Sequence, residues 1–349
     1  MTARIHFSGP PQYRLRNTVD LCRAVPEVCV RRMLRGPRRK SWNWFVELAT
    51  SMLKRELIAA FKLPDVNEMR RYLDSFVINS PIMSEVNITP VSQGKYQGSW
   101  FIPHNADARL TVLYFHGGGY SFYPKAYDNF IAHIAVTAKS RTFALDYRLS
   151  PEHQFPAQLE DALGAYRWML ENHADNNHLV VAGDSAGGNL TLALLLAARD
   201  SELPPPALAI ALSPAVEFEN DCASMVRNAE FDWLEKRMLQ QWADWYCPPA
   251  HRRDPLVSLL GADLRGLPPI YMQAGRAEIL FDSIQAFADR AKAQGADVVL
   301  ETWEDMNHVF QLFGYDAPQS AGALRRIGEV IDARLRRGQK TEAVTAIKL

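Results

Sequence analysis

The sequence predicts an α/β protein, a mostly parallel sheet flanked by helices on both faces, with further helices forming a cap. Three observations carry this prediction. From residue 109 on, short apolar runs alternate with helix-length segments. The runs are continuously apolar, which marks strands buried on both faces. Two regions, residues 1–80 and about 217–250, interrupt the alternation with helical or aromatic-rich segments.

In residues 1–80, Trp42, Phe45, Ala49, Met52, Leu53, Leu57 and Phe61 recur at three- and four-residue steps. That spacing puts them on one helix face that must pack against the rest of the chain. Lys54, Arg55 and Glu56 are expected on the opposite side. After Pro81, EVNITPV and YQGSWFI alternate in the strand manner around an expected Gln93-Gly94 turn, giving an antiparallel edge. Strands are then expected at 109–115, 141–147, 178–183, 207–213, 269–275 and 297–303. Helices are expected near 126–139, 156–173, 186–199, 280–294 and 318–337. Between the fourth and fifth of these strands, Phe218, Phe231, Trp233, Trp242, Trp245 and Tyr246 read as an inserted helical segment, which with residues 1–80 would form a lid.

The 349 residues are 48% hydrophobic and 22% charged, ordinary for a globular chain. The formal net charge is zero, so a nucleic-acid partner has no global electrostatic support. Residues 1–80 nevertheless carry 15 Lys/Arg against 7 Asp/Glu. The basic run RRMLRGPRRK, Arg31 to Lys40, is read as a solvated helix end and loop rather than a patch for an anionic surface. There is no apolar stretch long enough to span a membrane, and MTARIHFSGPPQYRLR has no apolar signal core. Cys22, Cys29, Cys222 and Cys247 form no CxxC pair and read as reduced, mostly buried thiols, so a cytoplasmic location is expected. The histidines lack metal-site spacing, and neither a metal nor a cofactor is expected.

The stretch VVAGDSAGGNL, residues 180–190, carries the chemistry. It is a G-x-S-x-G pattern directly after a buried strand and directly before a helix. That context puts Ser185 on a strained turn with its hydroxyl at the top of the sheet. Gly183 and Gly187 are required because side chains there would collide as the chain folds back. A serine hydroxyl needs a base, an orienting acid and donors for the oxyanion. HGGGYSF, starting at His116, follows a strand, and its three glycines leave N–H groups unobstructed. The oxyanion hole is expected from Gly117, Gly118 and Gly119 together with the N–H of Ala186. His116 itself reads as a loop-stabilising residue. The base is expected late in the chain, at His308 in EDMNHVF, and the acid at Glu278, with Asp282 as the alternative. Asp305 is expected to shape the loop.

These motifs resemble the hormone-sensitive-lipase-like, or family IV, esterases of the α/β-hydrolase fold. The resemblance covers roughly residues 110–314. It rests on HGGGY at 116–120, DYRLSPEHQFPAQLED at 146–161, GDSAGGNL at 183–190, DPLVSLL followed by LPPIYMQAG through 275, and NHVF at 307–310. It implies a helical cap built from residues 1–80 and the insertion, above a catalytic domain spanning 81–349. It also implies that Glu152 and Pro156 belong to a structural turn near the site. The chain departs from the family at the acid, where the usual D-P-L becomes Glu278-Ile279-Leu280. A second departure is the bulky SFYPKAYD after HGGGY, expected to narrow the pocket.

The expected function is a serine carboxylesterase for short- to medium-chain acyl esters, acting through an acyl-enzyme. The competing readings are an amide, lactone or lipid hydrolase with the same triad, and a non-catalytic small-molecule receptor on the same fold. The expected partner is a small-molecule ester, with no nucleic acid and no membrane contact; a homodimer is left open.

Overall fold

The computed structural model describes residues 4–92, 94–219 and 222–346, with side chains through residue 335. It opens with a short strand, β1 (Arg4–Phe7), and three helices, α1 (Pro11–Arg35), α2 (Trp44–Ala60) and α3 (Val66–Leu73). Asn43 caps α2 by accepting from the Val46 N–H at 2.8 Å, and Asp65 caps α3 by accepting from Glu68 at 2.8 Å. A strand β2 (Phe76–Asn79) then pairs antiparallel with β1. This two-stranded sheet stands where only helices are expected.

The main sheet follows: β3 (Val86–Val91), β4 (Gly98–Pro103), β5 (Asp107–Phe115), α4 (Tyr127–Ala138), β6 (Ser140–Leu145), α5 (Ala157–Asn172), β7 (Leu179–Asp184), α6 (Ala186–Asp200) and β8 (Leu208–Leu212). Two helices without an intervening strand come next, α7 (Ser224–Arg227) and α8 (Lys236–Tyr246). The chain ends with β9 (Ile270–Gly275), α9 (Phe281–Ala293), β10 (Val298–Trp303) and α10 (Pro318–Ala346). The expected Gln93-Gly94 turn rests on Gln93, which lies outside the described residues.

The strands form one sheet in the order β10-β9-β8-β7-β5-β6-β4-β3. The pairs from β6 through β10 are parallel, while β4 pairs antiparallel with both β6 and β3. Every residue of β7, β8 and β9 is buried, as continuous apolar runs require. The C-terminal ends of β5, β7, β9 and β10 all lie at one edge, where the order of crossovers reverses and ligands of open α/β sheets bind. The chain has an α/β-hydrolase fold with a helical cap. Among the described residues, no helix is long and apolar enough to cross a membrane.

Two local expectations are corrected. Glu56 is buried rather than on the outer face of α2, because steps of three and four from Met52, Leu53 and Ala49 bring it onto the apolar stripe. The cysteines are all free, but only Cys247 is buried; Cys22 on the surface of α1 is exposed.

Candidate active site

Strand β7 runs straight into Ser185, whose backbone sits at φ 53° and ψ −116° before α6 begins. A residue with a side chain seldom occupies this region, and the surroundings hold it there. The Ser185 N–H donates to Leu212 at 2.8 Å, and its carbonyl accepts from Asn189 at 3.0 Å and Ala215 at 3.1 Å. A Cβ on Gly187 would land on the Phe115 carbonyl, and one on Gly183 would meet the Gly187 carbonyl. The turn is thus closed by β5 on one side and by its own helix on the other.

The three residues expected to act together are in contact. His308 Nε2 lies 2.9 Å from Ser185 Oγ, and His308 Nδ1 lies 3.0 Å from Glu278 Oε2. The side chains of His308 and Glu278 are fully buried. Burial presses the imidazole down to about 4, against the pull of the Asp232 and Asp184 carboxylates. Burial pushes the Glu278 carboxyl up. An unprotonated imidazole facing a serine hydroxyl is a general base in place.

The glycine loop after β5 supplies donors, with one correction. Gly117 does not face the reacting position: its N–H donates to Asp184 Oδ1 at 3.0 Å. The N–H groups of Gly118, Gly119 and Ala186 have no protein acceptor among the described residues. Gly118 has φ +104°, and a Cβ there would strike the Phe122 carbonyl, so the loop needs glycine at this point. Asp184, inside GDSAG, also accepts from Tyr114 at 2.7 Å and Tyr127 at 3.0 Å. Its carboxyl is fully buried, which raises it to about 6 despite these donors. It ties the oxyanion loop to the strand carrying the serine. His116 is stacked between Tyr123 and Tyr147, with centroids 4.0 and 4.2 Å away, and plays the loop-stabilising part expected of it.

The inserted segment grips the acid and base loops. Buried Asp232 accepts from the Ile279 N–H at 2.7 Å. Trp233 Nε1 donates to the His308 carbonyl at 2.7 Å. Asn228 Nδ2 donates to the carbonyls of Glu278 and Arg276 at 2.8 and 3.0 Å. Asp282 does not reach His308; it accepts from Ser224 at 2.8 Å and pairs with Arg227 at 2.6 Å, docking α7 onto α9. None of these tethers has a motif, because each side chain meets a backbone group from a distant segment. Asp184 alone stood in a recognisable pattern.

The basic run is solvated in part: Arg35 and Lys40 are exposed, while other arginines of the run are paired. Arg31 and Arg32 both pair with buried Glu47, and Arg39 lies 3.8 Å from Asp305 and stacks on Phe231. Asp305 also accepts from the Ser41 N–H at 3.1 Å, so it fastens the base loop to the N-terminal helices. Glu152 of the SPEHQFP turn holds Arg70 of α3 through two bonds of 2.7 and 2.8 Å.

Ser185 opens onto two cavities. One, of about 220 Å³, is lined by Gly118, Gly119, Trp233, Trp242 and Phe122 and continues beneath α2. The bulky residue after HGGGY therefore does border the pocket. The other, of about 370 Å³, lies beyond Ala186 and holds Glu217, Glu219, Lys236 and Arg252. Trp242 borders both, with its ring against Gly119.

Comparison with known proteins agrees with this geometry. A family profile described as alpha/beta hydrolase fold matches residues 112–312. An acetyl-hydrolase of Streptomyces hygroscopicus is 35% identical over 240 residues, covering 68% of this chain and 80% of that one. The carboxylesterase NlhH of Mycobacterium tuberculosis is 33% identical over 226 residues, covering 62% of this chain and 71% of the relative. Among solved structures, the esterase EstE5 soaked with p-nitrophenyl butyrate superposes with TM-score 0.79 at 31% identity, covering 84% of this chain and 100% of that one. An esterase from the bacterial hormone-sensitive lipase family gives TM-score 0.76 at 33% identity, covering 84% and 99%. With the elbow, the glycine loop and this match over most of the catalytic sheet, the chain belongs to the α/β-hydrolase family, among the hormone-sensitive-lipase-like carboxylic ester hydrolases.

Proposed function

We propose that this serine carboxylesterase acts on short- to medium-chain acyl esters of small alcohols, with Ser185 as nucleophile, His308 as base and Glu278 as acid. The observation that carries the assignment is the continuous chain from Glu278 through His308 to Ser185, at 3.0 and 2.9 Å. Ser185 Oγ bonds to the ester carbonyl carbon as its proton passes to His308 Nε2. Glu278 orients the imidazole and stabilises the imidazolium that forms. Gly118, Gly119 and Ala186 donate to the oxyanion, each donor worth roughly 10²–10³ in turnover. As the carbon–alkoxy bond breaks, the alcohol leaves with the His308 proton. Water then gives a proton to His308 and attacks the acyl-enzyme, and the proton returns to Ser185 as the acid departs.

The acyl chain occupies the apolar cavity under α2 and the alcohol leaves through the polar cavity beyond Ala186. Support for this orientation is the lining of the two spaces: the first is mainly tryptophan, phenylalanine and leucine, while the second adds Glu217, Glu219, Lys236 and Arg252 to its apolar side chains. None of these steps requires a cofactor. The four free thiols support a reducing, cytoplasmic location.

The test is the rate of 4-nitrophenyl ester hydrolysis across acyl lengths. Ser185→Ala is expected to lose turnover by a factor on the order of 10⁶ while keeping its Tm. Equal rates in the wild type and this variant on every ester would overturn the assignment.

A further inference from the structure

The cavity that starts at Ser185 extends well past the reacting atoms. It runs beneath the α2 face carrying Leu48, Met52, Leu53 and Leu57, and reaches the β1–β2 sheet at Phe7 and Ile78. Ser80, Asn129, His133 and Asp316 also line the cavity, but on the wall formed by α2 the one polar side chain is Glu56. Glu56 lines the cavity and is only 7% exposed. Among the described residues, no group hydrogen-bonds its carboxyl and no cation pairs with it. The neighbouring phenol of Tyr72 is committed to Asn17 at 2.6 Å. The triad has its own acid in Glu278, so the chemistry leaves Glu56 unused.

A buried carboxyl on an apolar stretch of the cavity wall is costly unless something there bonds to it. Burial pushes the Glu56 carboxyl up, which disfavours its charged form; a carboxyl accepts in either form and also donates when it carries its proton. A plain alkyl chain threaded past it would leave its polar atoms unbonded. An ammonium group would call for the charged carboxylate that burial disfavours. A hydroxyl can donate to the carboxyl and can accept from it.

We propose that Glu56 is a specificity residue that selects acyl chains carrying a hydroxyl group along their length, the hydroxyl bonding to the Glu56 carboxyl inside the cavity under α2. This inference deepens the esterase assignment and rests on it.

The experiment compares kcat/KM for pairs of 4-nitrophenyl esters of equal acyl length, one plain and one hydroxylated, with the hydroxyl moved along the chain. Wild type, Glu56→Gln and Glu56→Leu are measured side by side, and only the ratio within each protein is read. At one hydroxyl position the wild type is expected to favour the hydroxylated ester about tenfold, the worth of one buried hydrogen bond. Glu56→Gln is expected to keep most of that ratio, and Glu56→Leu to bring it to one or below. A wild-type ratio of one or less at every position, or an undiminished ratio in Glu56→Leu, would overturn the proposal.

A second measurement does not depend on turnover. Binding of a medium-chain hydroxy acid and of its plain counterpart to Ser185→Ala is followed by the fluorescence of Trp233 and Trp242, which line the cavity. The hydroxy acid is expected to bind about tenfold more tightly, again only while Glu56 or Gln is present. Equal Kd values would sink the proposal even where esterase activity is intact. Absence of any ester hydrolysis by the wild type would instead count against the esterase assignment, with the binding ratio still deciding the role of Glu56.

Discussion

Strands β7, β8 and β9 bury every residue, whereas α1 leaves Leu15, Met33 and Leu34 mostly exposed. The sheet is held by close apolar packing along continuous strands. The cap shares that packing through Leu57, Tyr72, Trp242 and Tyr246, but it is also fastened by discrete polar anchors: Arg31 and Arg32 on Glu47, Arg70 on Glu152, Asp232 on Ile279. Close packing tolerates little displacement, while discrete anchors can be lost one at a time. The division suits an enzyme whose nucleophile must be rigid and whose cover shapes the substrate space. It is not complete, because Asp232, Trp233 and Asn228 reach from the cap side into the loops carrying the acid and the base.

The comparison can be broken hardest at the sheet. Glu278→Gln leaves the volume unchanged but removes the carboxylate that orients His308, and kcat is expected to fall about 10⁴-fold. Asp282→Asn is expected to leave the triad working and to loosen only the docking of α7. Steady-state kinetics of the two variants checks this; similar losses in both would mean that Asp282 shares the acid role.

Asp232→Asn tests whether the cap sets the triad. Its oxygen accepting from Ile279 would be exchanged for a donor or left imperfectly paired, a loss of about 1.5–3 kcal/mol for a charge-assisted bond. We expect kcat to drop roughly 10- to 100-fold on acetate and longer esters alike, with KM little changed. A change confined to KM would reduce Asp232 to a structural tether.

The pH profile sharpens the same point. As the proposed base His308 must be unprotonated, and burial lowers it to about 4 from its ordinary 6.5. Activity should therefore rise with pH and reach half its plateau below pH 6.5. At pH 5 an ordinary histidine base would already have cost roughly 30-fold in kcat/KM. A midpoint above 6.5 would mean that the Glu278 and Asp232 charges outweigh burial.

Trp242→Ala removes the ring between the two cavities. It is expected to shift the preferred acyl length and to change the relative kcat/KM of long and short esters several-fold, roughly what one or two methylenes are worth in an apolar pocket. An unchanged length profile would place the acyl chain elsewhere. The smallest effect belongs to Arg39→Ala, which loses a partly exposed pair with Asp305 and the contact with Phe231. About 1 kcal/mol of stability is expected to go, read by denaturant unfolding.

Much of this was legible from residue order. The apolar runs from 109 to 303 became β5 through β10, because a run buried on both faces has a composition no loop can imitate. The elbow was legible because only glycine at 183 and 187 lets a strand fold back onto its own helix. His308 and Glu278 were found by their place after the last two strands. Gly117 was misassigned because three consecutive glycines look alike, and only the position of Asp184 shows which N–H is already spent. The β1–β2 pair escaped because its strands are four residues each and lie about 70 residues apart. Glu56 was misplaced although its spacing put it on the apolar stripe; its charge was given more weight than its period.

By itself, then, the order of residues determined the sheet, the strained serine turn and the places of Ser185, Glu278 and His308 at strand ends, since each depends on local periodicity or backbone sterics. Tertiary structure decided which N–H groups of the glycine loop have a protein acceptor, how Arg31, Arg32 and Arg39 are paired and where Asp232 and Trp233 take hold. It also decided that a carboxyl would stand inside the cavity that opens at Ser185. These depend on contacts between segments far apart in the chain, and such contacts leave no periodic trace in the sequence.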